Sequence, residues 1–382
     1  MPSYQVCSEA DLIELAARRG WIDGDTLPHA QIEMLEPTRF FSRTVEGQLP
    51  ATEMKTQSSV RIRIPDAILH GQNFSLIIEN RVFPGGCVHS FWPSRHWKQL
   101  GNSQVFYEPM TLQPIHYCEP KLLGIVSHWG HFFVDALDRL LQLQANDDFN
   151  GQIVVSDPNY FGLEPVVDRS HAVPQVTEII QLLGLSLNPE MVIPIFQSMD
   201  YEVSNLMVCT LRSKKPSIPA SSLIELRHRI SALMVDLVDK ENTTLFIGRR
   251  DVKKRHIVNQ HILVEFLASV HHIRTIYPED LSTKEAIQQF SNASNIILPI
   301  GSAKFNLVYC HPGTKVVCIA PMGYCVMNGG VVLMTRHLCQ SLGLKLVFYE
   351  SEIELRQPLI NSNFLLNESD MKNIIKILDS FD

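Results

Sequence analysis

Between residues 244 and 320 the sequence alternates regularly between short apolar segments and amphipathic segments. The apolar segments have the length of buried strands, and each amphipathic segment has the length of a helix of about three turns. Strands separated by helices form a parallel sheet with helices on both faces, because each helix returns the chain to the edge where the next strand begins. The pattern therefore predicts an α/β fold with a doubly wound sheet.

The elements predicted in this segment follow one another without a long loop. We predict strands at residues 244–248, 273–277, 295–299 and 315–320, and helices at residues 259–270, 282–291 and 302–309. Ser282 is followed three positions later by Glu285. This pair is typical of a capping box, so the second helix is predicted to begin there.

The chain has 382 residues, which is enough for two domains. We predict four parts: a β-rich, irregular part at residues 1–120, an α/β part at 121–240, a Rossmann-like lobe at 241–350, and an extension with a terminal helix at 351–382. A long amphipathic segment at residues 222–240 is predicted to be a helix that bridges two lobes.

The composition excludes several classes of protein. Forty acidic residues against 33 basic ones give a net charge of −7, so we expect no nucleic-acid partner. The eight cysteines include no C-x-x-C pair, which argues against a zinc cluster and a disulfide framework. The sequence has no secretory segment and no apolar run of 18 residues, so we expect a cytoplasmic protein.

Residues suited to binding an anion follow three of the predicted strands. They lie at 248–250 (Gly-Arg-Arg), 278–280 (Pro-Glu-Asp) and 301–304 (Gly-Ser-Ala-Lys). Ligands of a doubly wound sheet bind beyond the carboxyl ends of its strands. Arg249 or Arg250 could bind a phosphate through two parallel N–H groups of its guanidinium. Gly301 would let backbone N–H groups approach the same phosphate, and Lys304 would add positive charge. An alternative is that residues 249–255 form a solvated basic loop.

A second group of polar residues lies at 128–139. If the chain is helical from Gly130, His131, Asp135 and Arg139 lie one turn apart on one face. Asp135 would then orient His131, which would act as a general base. Two alternatives are open: a structural Asp135–Arg139 pair beside a core histidine, or a zinc ion bound by His128, His131 and Asp135, although the spacing is not H-E-x-x-H.

Four segments together resemble the family 61 glycosyltransferases. They are Gly130-His131-Phe132-Phe133-Val134-Asp135-Ala136-Leu137-Asp138-Arg139-Leu140, then 246–259 with Gly248-Arg249-Arg250-Asp251 and Arg255, then 298–307, and then Pro312-Gly313-Thr314-Lys315-Val316. The sequence departs from the family pattern at Phe132 (Trp in the family), Asp138 (Pro), Gly248 (Ser), Ile300 (His) and Lys304-Phe305 (Leu-Thr).

The resemblance implies a GT-B-like arrangement of two Rossmann-like lobes that face a cleft. It implies an inverting, metal-independent transfer from a nucleotide-diphosphate sugar, expected to be UDP-linked, with no further cofactor. The residues assigned to the nucleotide and its diphosphate are Arg249, Arg250, Arg255, Glu279, Gly301, Ser302, Lys304 and Asn306. His131 and Asp135 are the catalytic candidates, and His128 and Arg139 are structural or acceptor-side residues.

The expected acceptor is the hydroxyl of a glycan or of a lipid-linked glycan in bacterial capsule or lipopolysaccharide synthesis. The N-terminal parts, 1–120 and 121–240, would hold this acceptor, and the enzyme could rest on the inner face of the cell membrane. A non-catalytic nucleotide- or glycan-binding protein of the same fold is an alternative, and a metal-dependent hydrolase that uses His128, His131 and Asp135 is another.

Overall fold

The structure of the chain is a computed structural model. It describes residues 3–22, 32–55, 60–70, 75–83, 97–100, 104–107, 111–115, 121–125, 133, 137–144, 152–156, 178–179, 182–183, 192–195, 199–209, 220–234, 243–250, 255–271, 273–327, 329–354 and 362–381.

These residues form strands and helices throughout the sequence. In chain order they are β1 (Ser3–Val6), α1 (Glu9–Arg19), β2 (Ile32–Leu35), β3 (Thr38–Phe41), β4 (Glu46–Leu49), β5 (Thr52–Lys55), β6 (Arg61–His70), β7 (Leu76–Ile78), β8 (Arg81–Phe83), β9 (Trp97–Leu100), β10 (Gln104–Tyr107), β11 (Thr111–Ile115), β12 (Lys121–Ile125), α2 (Leu137–Gln144), β13 (Gln152–Ser156), β14 (Val192–Ile195), β15 (Met199–Cys209), α3 (Ala220–Met234), β16 (Thr243–Ile247), α4 (Gln260–His271), β17 (Arg274–Ile276), a 3₁₀ helix (Pro278–Asp280), α5 (Thr283–Asn292), β18 (Ala293–Pro299), a second 3₁₀ helix (Ser302–Tyr309), β19 (Lys315–Pro321), α6 (Gly330–Ser341), β20 (Lys345–Ile353), β21 (Phe364–Leu365) and α7 (Glu368–Asp379). None of the helices in these ranges combines the length and the apolar character that crossing a membrane requires.

The chain divides into two compact units. The first comprises Met1–Gln31 and Thr56–Lys215, and the second comprises Ile32–Lys55 and Pro216–Asp382. This division differs from the predicted boundaries in two respects. Residues 32–55 were predicted in the N-terminal part but belong to the second unit, and α3, predicted as a bridge between lobes, lies within the second unit.

The first unit is built on a mixed sheet. Its strand order is β14-β13-β12-β15-β6-β7-β8-β1-β10-β9, with β11 paired to β15. The pairs among β12, β13, β14 and β15 are parallel, whereas β6 pairs antiparallel to β15 and β7. A two-residue connection joins β7 to β8, and so short a link permits only antiparallel pairing. The sheet therefore departs from the predicted doubly wound, Rossmann-like lobe.

Helix α1 covers one face of this sheet. Ser8 caps its start in a capping box with Asp11, and Gly20 ends it in the left-handed conformation at a φ of 69°. Its apolar residues Leu12 and Leu15 are buried in the same cluster as Ile62 of β6 and Leu206 of β15. The burial of this apolar stripe holds the helix on the sheet.

The second unit confirms the predicted doubly wound sheet. Its strand order is β17-β16-β18-β19-β20-β3-β4, and every neighbouring pair from β17 to β3 is parallel. Helices α4 and α7 bury apolar residues in one cluster with Val317 of β19, and α6 buries Val332 in another with Cys318. Because successive residues of a strand point to opposite faces, both faces of the sheet are covered.

The elements predicted between residues 244 and 320 lie within two residues of the observed ones, whereas the helix predicted at 222–240 is observed as Ala220–Met234. The capping box of Ser282 and Glu285 begins α5 as expected. The helix predicted at 302–309 is present, but it is a 3₁₀ helix rather than an α-helix. This difference matters for the site because a 3₁₀ helix has three residues per turn, which changes the direction in which each side chain points.

Residues 32–55 join the second unit through β3 and through a buried arginine of α6. Strand β3 pairs parallel to β20, with Phe40 opposite Phe348. Arg336 donates hydrogen bonds to Thr38 Oγ1 at 3.1 Å and to the Pro50 carbonyl at 2.7 Å. These bonds connect parts of the chain almost 300 residues apart, so no local sequence signal predicts them.

Candidate functional site

The candidate site lies where the strand order of the second sheet reverses direction. Counted along the chain from β16, the five strands from β17 to β20 stand in the order 2-1-3-4-5, with β16 and β18 adjacent at the reversal. Ligands of doubly wound sheets bind beyond the carboxyl ends of the strands at such a switch point. Gly248 follows β16 there, and Ile300 and Gly301 follow β18.

Arg249 is held at this edge by its backbone and its side chain. Its backbone N–H donates to Gln260 Oε1 at 2.9 Å, and its carbonyl accepts from Gln260 Nε2 at 3.2 Å. Its Nη1 donates to the carbonyl of Arg255 at 2.8 Å. Burial, with a smaller effect from the charge of Arg255, lowers the pKa of Arg249 to about 10, so the guanidinium stays charged at neutral pH.

Gly301 brings the end of β18 against this guanidinium. A Cβ atom added at Gly301 would lie 3.0 Å from Arg249 Nη1 and 3.3 Å from its Cζ. A side chain at this position would therefore press on the guanidinium. Two of the three sequence segments that were expected to form an anion site, 248–250 and 301–304, thus meet at one point of the sheet edge.

Arg250 lies beside Arg249 but faces solvent. Its guanidinium stands 3.8 Å from the centre of the Tyr277 ring and forms an ion pair with Asp280. Its backbone N–H donates to Glu279 Oε1 at 3.1 Å. Stacking on the ring and pairing with a carboxylate fix the direction of the guanidinium, while about half of the side chain remains exposed.

The Tyr277 ring explains why the chain has glycine at position 248, where the family pattern has serine. A Cβ atom at Gly248 would lie 2.4 Å from Tyr277 Cε1, which is too close for two carbon atoms that are not bonded to each other. The ring therefore occupies the space of a side chain at 248. The glycine allows Tyr277 to lie under Arg250.

We expect Gly248→Ala to displace the Tyr277 ring and to lower stability by about 1–3 kcal/mol through overpacking. The ring would then no longer lie under the Arg250 guanidinium. Thermal denaturation would measure the loss of stability.

The same substitution in a Tyr277→Ala background serves as the control. Without the ring, alanine at 248 meets no such contact, and the stability loss should disappear. An equal loss in both backgrounds would show that the contact with Tyr277 is not the cause.

Arg255 completes the buried side of the site. Its backbone is left-handed, with a φ of 54°, which is rare for a residue with a long side chain. Its buried Nε has no hydrogen-bond partner in the described residues, and its guanidinium bonds to Tyr324. Burial raises the pKa of Tyr324, and the charge of Arg255 partly offsets this rise. Strained residues of this kind often occur at functional sites.

The three predicted diphosphate ligands in the second 3₁₀ helix differ in how exposed they are. Ser302 stands at the start of this helix and is partly exposed. Lys304 is only 3 % exposed, and its Nζ lies 3.5 Å from the carbonyl of Val331, which it faces as a donor. Asn306 is also buried, and its Nδ2 donates to the carbonyl of Ala303 at 3.0 Å. The last two side chains therefore make contacts inside the unit.

Three residues of the second predicted group, at 128–139, lie outside the described residues. These are His128, His131 and Asp135; Arg139 lies on α2, but its side chain is not described. Within the described ranges, no three histidine, cysteine, aspartate or glutamate residues are grouped so that they could hold a metal ion. The residues of the zinc alternative are among those outside these ranges.

Sequence reasoning missed two residues that hold the arginines, Gln260 and Tyr277. Tyr277 ends the predicted strand at 273–277, one position before the acidic turn, so the strand-end rule could have included it. Gln260 begins α4 and had no such signal, because its role depends on its hydrogen bonds with the backbone of Arg249, a residue outside the helix.

The comparison with known proteins agrees with the segments quoted above. Residues 129–317, about half of the chain, match the family model described as Glycosyltransferase 61. The matched region contains β16, β18 and both 3₁₀ helices, and hence the arginines and Gly301. No curated protein matches the chain. The match supports the assignment of this chain to the family 61 glycosyltransferases.

Proposed function

We propose that the chain is an inverting glycosyltransferase that moves a sugar from a UDP-linked donor to a glycan hydroxyl. One observation carries the proposal: Arg249 and Arg250 lie at the switch point of the second sheet, and Gly301 packs against Arg249. Guanidinium groups match the geometry of phosphate oxygens, and glycine leaves the adjacent backbone accessible. This chemistry suits the diphosphate of a nucleotide sugar.

In the proposed reaction, the acceptor hydroxyl attacks the anomeric carbon and the bond from that carbon to the diphosphate oxygen breaks. The configuration at the carbon inverts, and negative charge develops on the departing diphosphate. Arg249, Arg250 and the N–H groups at the start of the Ser302–Tyr309 helix would stabilise this charge. His131 would take the proton of the hydroxyl, and Asp135 would orient the imidazole.

The other residues predicted to bind the nucleotide or its diphosphate make contacts that give them different roles. Arg255 would act through Arg249, since its carbonyl accepts the bond from Arg249 Nη1. Glu279 would hold the backbone of Arg250 rather than touch the anion. For Lys304 and Asn306 to contact the donor, their buried side chains would have to turn outward. We therefore propose a cradle of two arginines and the Gly301-Ser302 turn, with charge compensation that needs no metal.

For the acceptor we propose a glycan or a lipid-linked glycan of a bacterial capsule or lipopolysaccharide, held by the N-terminal part of the chain in a GT-B-like arrangement. We also propose that the protein works in the cytoplasm, at the inner face of the membrane where such an acceptor resides.

A second candidate is a binding protein without transferase activity. It is favoured by Ile300, which stands where the family pattern has histidine and is fully buried in an apolar cluster with Cys318 and Phe348. A polar group of the family pattern is therefore replaced by an apolar one next to the proposed cradle.

Incubation with a panel of nucleotide sugars and glycan acceptors, with detection of the released nucleoside diphosphate, separates these functions. The proposal predicts product with at least one UDP-sugar, full activity after metal is removed with a chelator, and a large loss of rate in His131→Ala. His228→Ala, an exposed histidine of α3, is the matched control.

Thermal stabilisation by UDP without any product would instead favour the binding protein, because binding raises stability whether or not chemistry follows. Activity that is lost with the metal and restored by zinc would favour the hydrolase. Near-wild-type rates in both His131→Ala and Arg250→Ala would contradict the transferase proposal.

A further inference from the structure

Arg250 is held by three neighbours, two of which contact its guanidinium and one its backbone. The Tyr277 ring contacts the face of the guanidinium at 3.8 Å, the Asp280 carboxylate pairs with its edge through Nη1, and Glu279 holds the backbone N–H at 3.1 Å. Of these three neighbours, only Asp280 accepts a hydrogen bond from the guanidinium. A phosphate would use the same N–H groups, because carboxylates and phosphates both bind to this edge.

The pair of Arg250 and Asp280 is suited to exchange. Both side chains are about half exposed, at 51 % and 48 %. Ion pairs at this level of exposure contribute little to stability, since water competes for both charges. A diphosphate carries more negative charge than one carboxylate and would displace it, whereas the ring and Glu279 would keep Arg250 in place.

We propose that Asp280 is an exchangeable counter-anion of Arg250. Its carboxylate orients the guanidinium on the Tyr277 ring, and the diphosphate of the donor replaces this carboxylate when the donor binds. This inference rests on the proposed function. Asp280 is thus a positioning residue that also sets affinity, because the diphosphate must compete with it. Its carboxylate would weaken the binding of donor and of released nucleoside diphosphate alike.

The test is a double-mutant cycle measured as Kd for UDP at low salt, with inorganic pyrophosphate as a probe that lacks the nucleoside. We expect Asp280→Asn to tighten binding about three- to fivefold for both probes. In an Arg250→Ala background the same change should have a clearly smaller effect, since only the general loss of one negative charge remains.

The chain offers a matched control in the same unit. Arg39 pairs with Glu46 at 2.8 Å and stands 4.8 Å from the Phe41 ring, which repeats the chemistry of Arg250, Asp280 and Tyr277 on strands β3 and β4. Glu46→Gln should leave both Kd values unchanged.

The outcomes separate this inference from the proposed function. If Arg250→Ala weakens binding but Asp280→Asn leaves it unchanged or weakens it, Asp280 is not a competing anion and the inference is overturned. The same holds if Asp280→Asn tightens binding equally in both backgrounds. If the wild type binds neither probe, or if Arg250→Ala has no effect on Kd, the proposed cradle itself fails together with the inference.

Discussion

Alanine in place of Arg250 is expected to lower the rate of sugar transfer about 10²-fold, because in the proposed reaction the guanidinium stabilises charge that develops only as the sugar bond breaks. Folding should be almost unaffected, since the side chain is half exposed and surface substitutions usually change stability by less than about 0.5 kcal/mol. Initial rates at saturating donor, together with thermal denaturation, would measure both quantities.

Two variants sharpen this prediction. Arg250→Lys keeps the charge but loses the planar fork, so we expect a rate between those of alanine and the wild type. Arg39→Ala removes an arginine with a similar carboxylate and ring, four strands away from β16 in the sheet, and should leave the rate unchanged. A wild-type rate in Arg250→Ala, or an equal loss in Arg39→Ala, would contradict a role in the transition state.

Methionine in place of Lys304 is expected to stabilise the protein. The Lys304 side chain is almost fully buried, and burial lowers its pKa to about 7. An unperturbed lysine has a pKa near 10.4, and each pKa unit corresponds to about 1.4 kcal/mol. Methionine fills a similar volume without the charge. We therefore expect the free energy of unfolding at pH 7 to rise by roughly 2–4 kcal/mol, seen as a Tm higher by roughly 5–10 °C.

The effect of pH on stability provides a second readout for Lys304. Between pH 7 and 10 the unfolded chain keeps the proton that the folded chain has released, so unfolding takes up a proton and stability rises with pH. From pH 7 to 8.5 this contributes about 1.5 kcal/mol in the wild type and nothing in Lys304→Met.

The buried thiols act in the opposite direction at higher pH. Burial raises the pKa of Cys310 and Cys318 to about 12, whereas unfolded thiols ionise near pH 8.5. Stability should therefore fall again above about pH 8.5 in both the wild type and Lys304→Met. The stabilities of these two proteins should be compared below that pH.

Lys284→Met, on the exposed face of α5, is the matched control and should change neither Tm nor its pH dependence. A lower Tm for Lys304→Met would mean that the ammonium is satisfied by its surroundings.

The doubly wound sheet could be predicted because its signals are local. Strands β16, β18 and β19 each contain a short apolar run, and the capping box of Ser282 and Glu285 marks a helix start within four residues. The place of β3 beside β20 could not be predicted in this way. It depends on contacts such as that of Arg336 with Thr38, between residues far apart in the sequence.

The candidate site likewise has one part that local sequence signals predict and another that they do not. The rule that ligands bind at strand ends predicts that Arg249, Arg250 and Gly301 lie close together, because strand ends can be read from the sequence. The direction of Lys304 could not be predicted. It depends on whether residues 302–309 form an α-helix or a 3₁₀ helix, and both are compatible with the same residues.

The central proposal is that the edge of the second sheet formed by the ends of β16 and β18 binds the diphosphate. Backbone amide hydrogen exchange with and without UDP tests this location most directly. A bound diphosphate would accept hydrogen bonds from N–H groups at the start of the Ser302–Tyr309 helix, and it would suppress the local opening that exposes the already bonded N–H groups of Arg249 and Arg250. Both effects slow exchange. We predict slower exchange in peptides that cover residues 248–250 and 300–305. Slower exchange confined to other parts of the chain, with these peptides unchanged, would contradict the proposal.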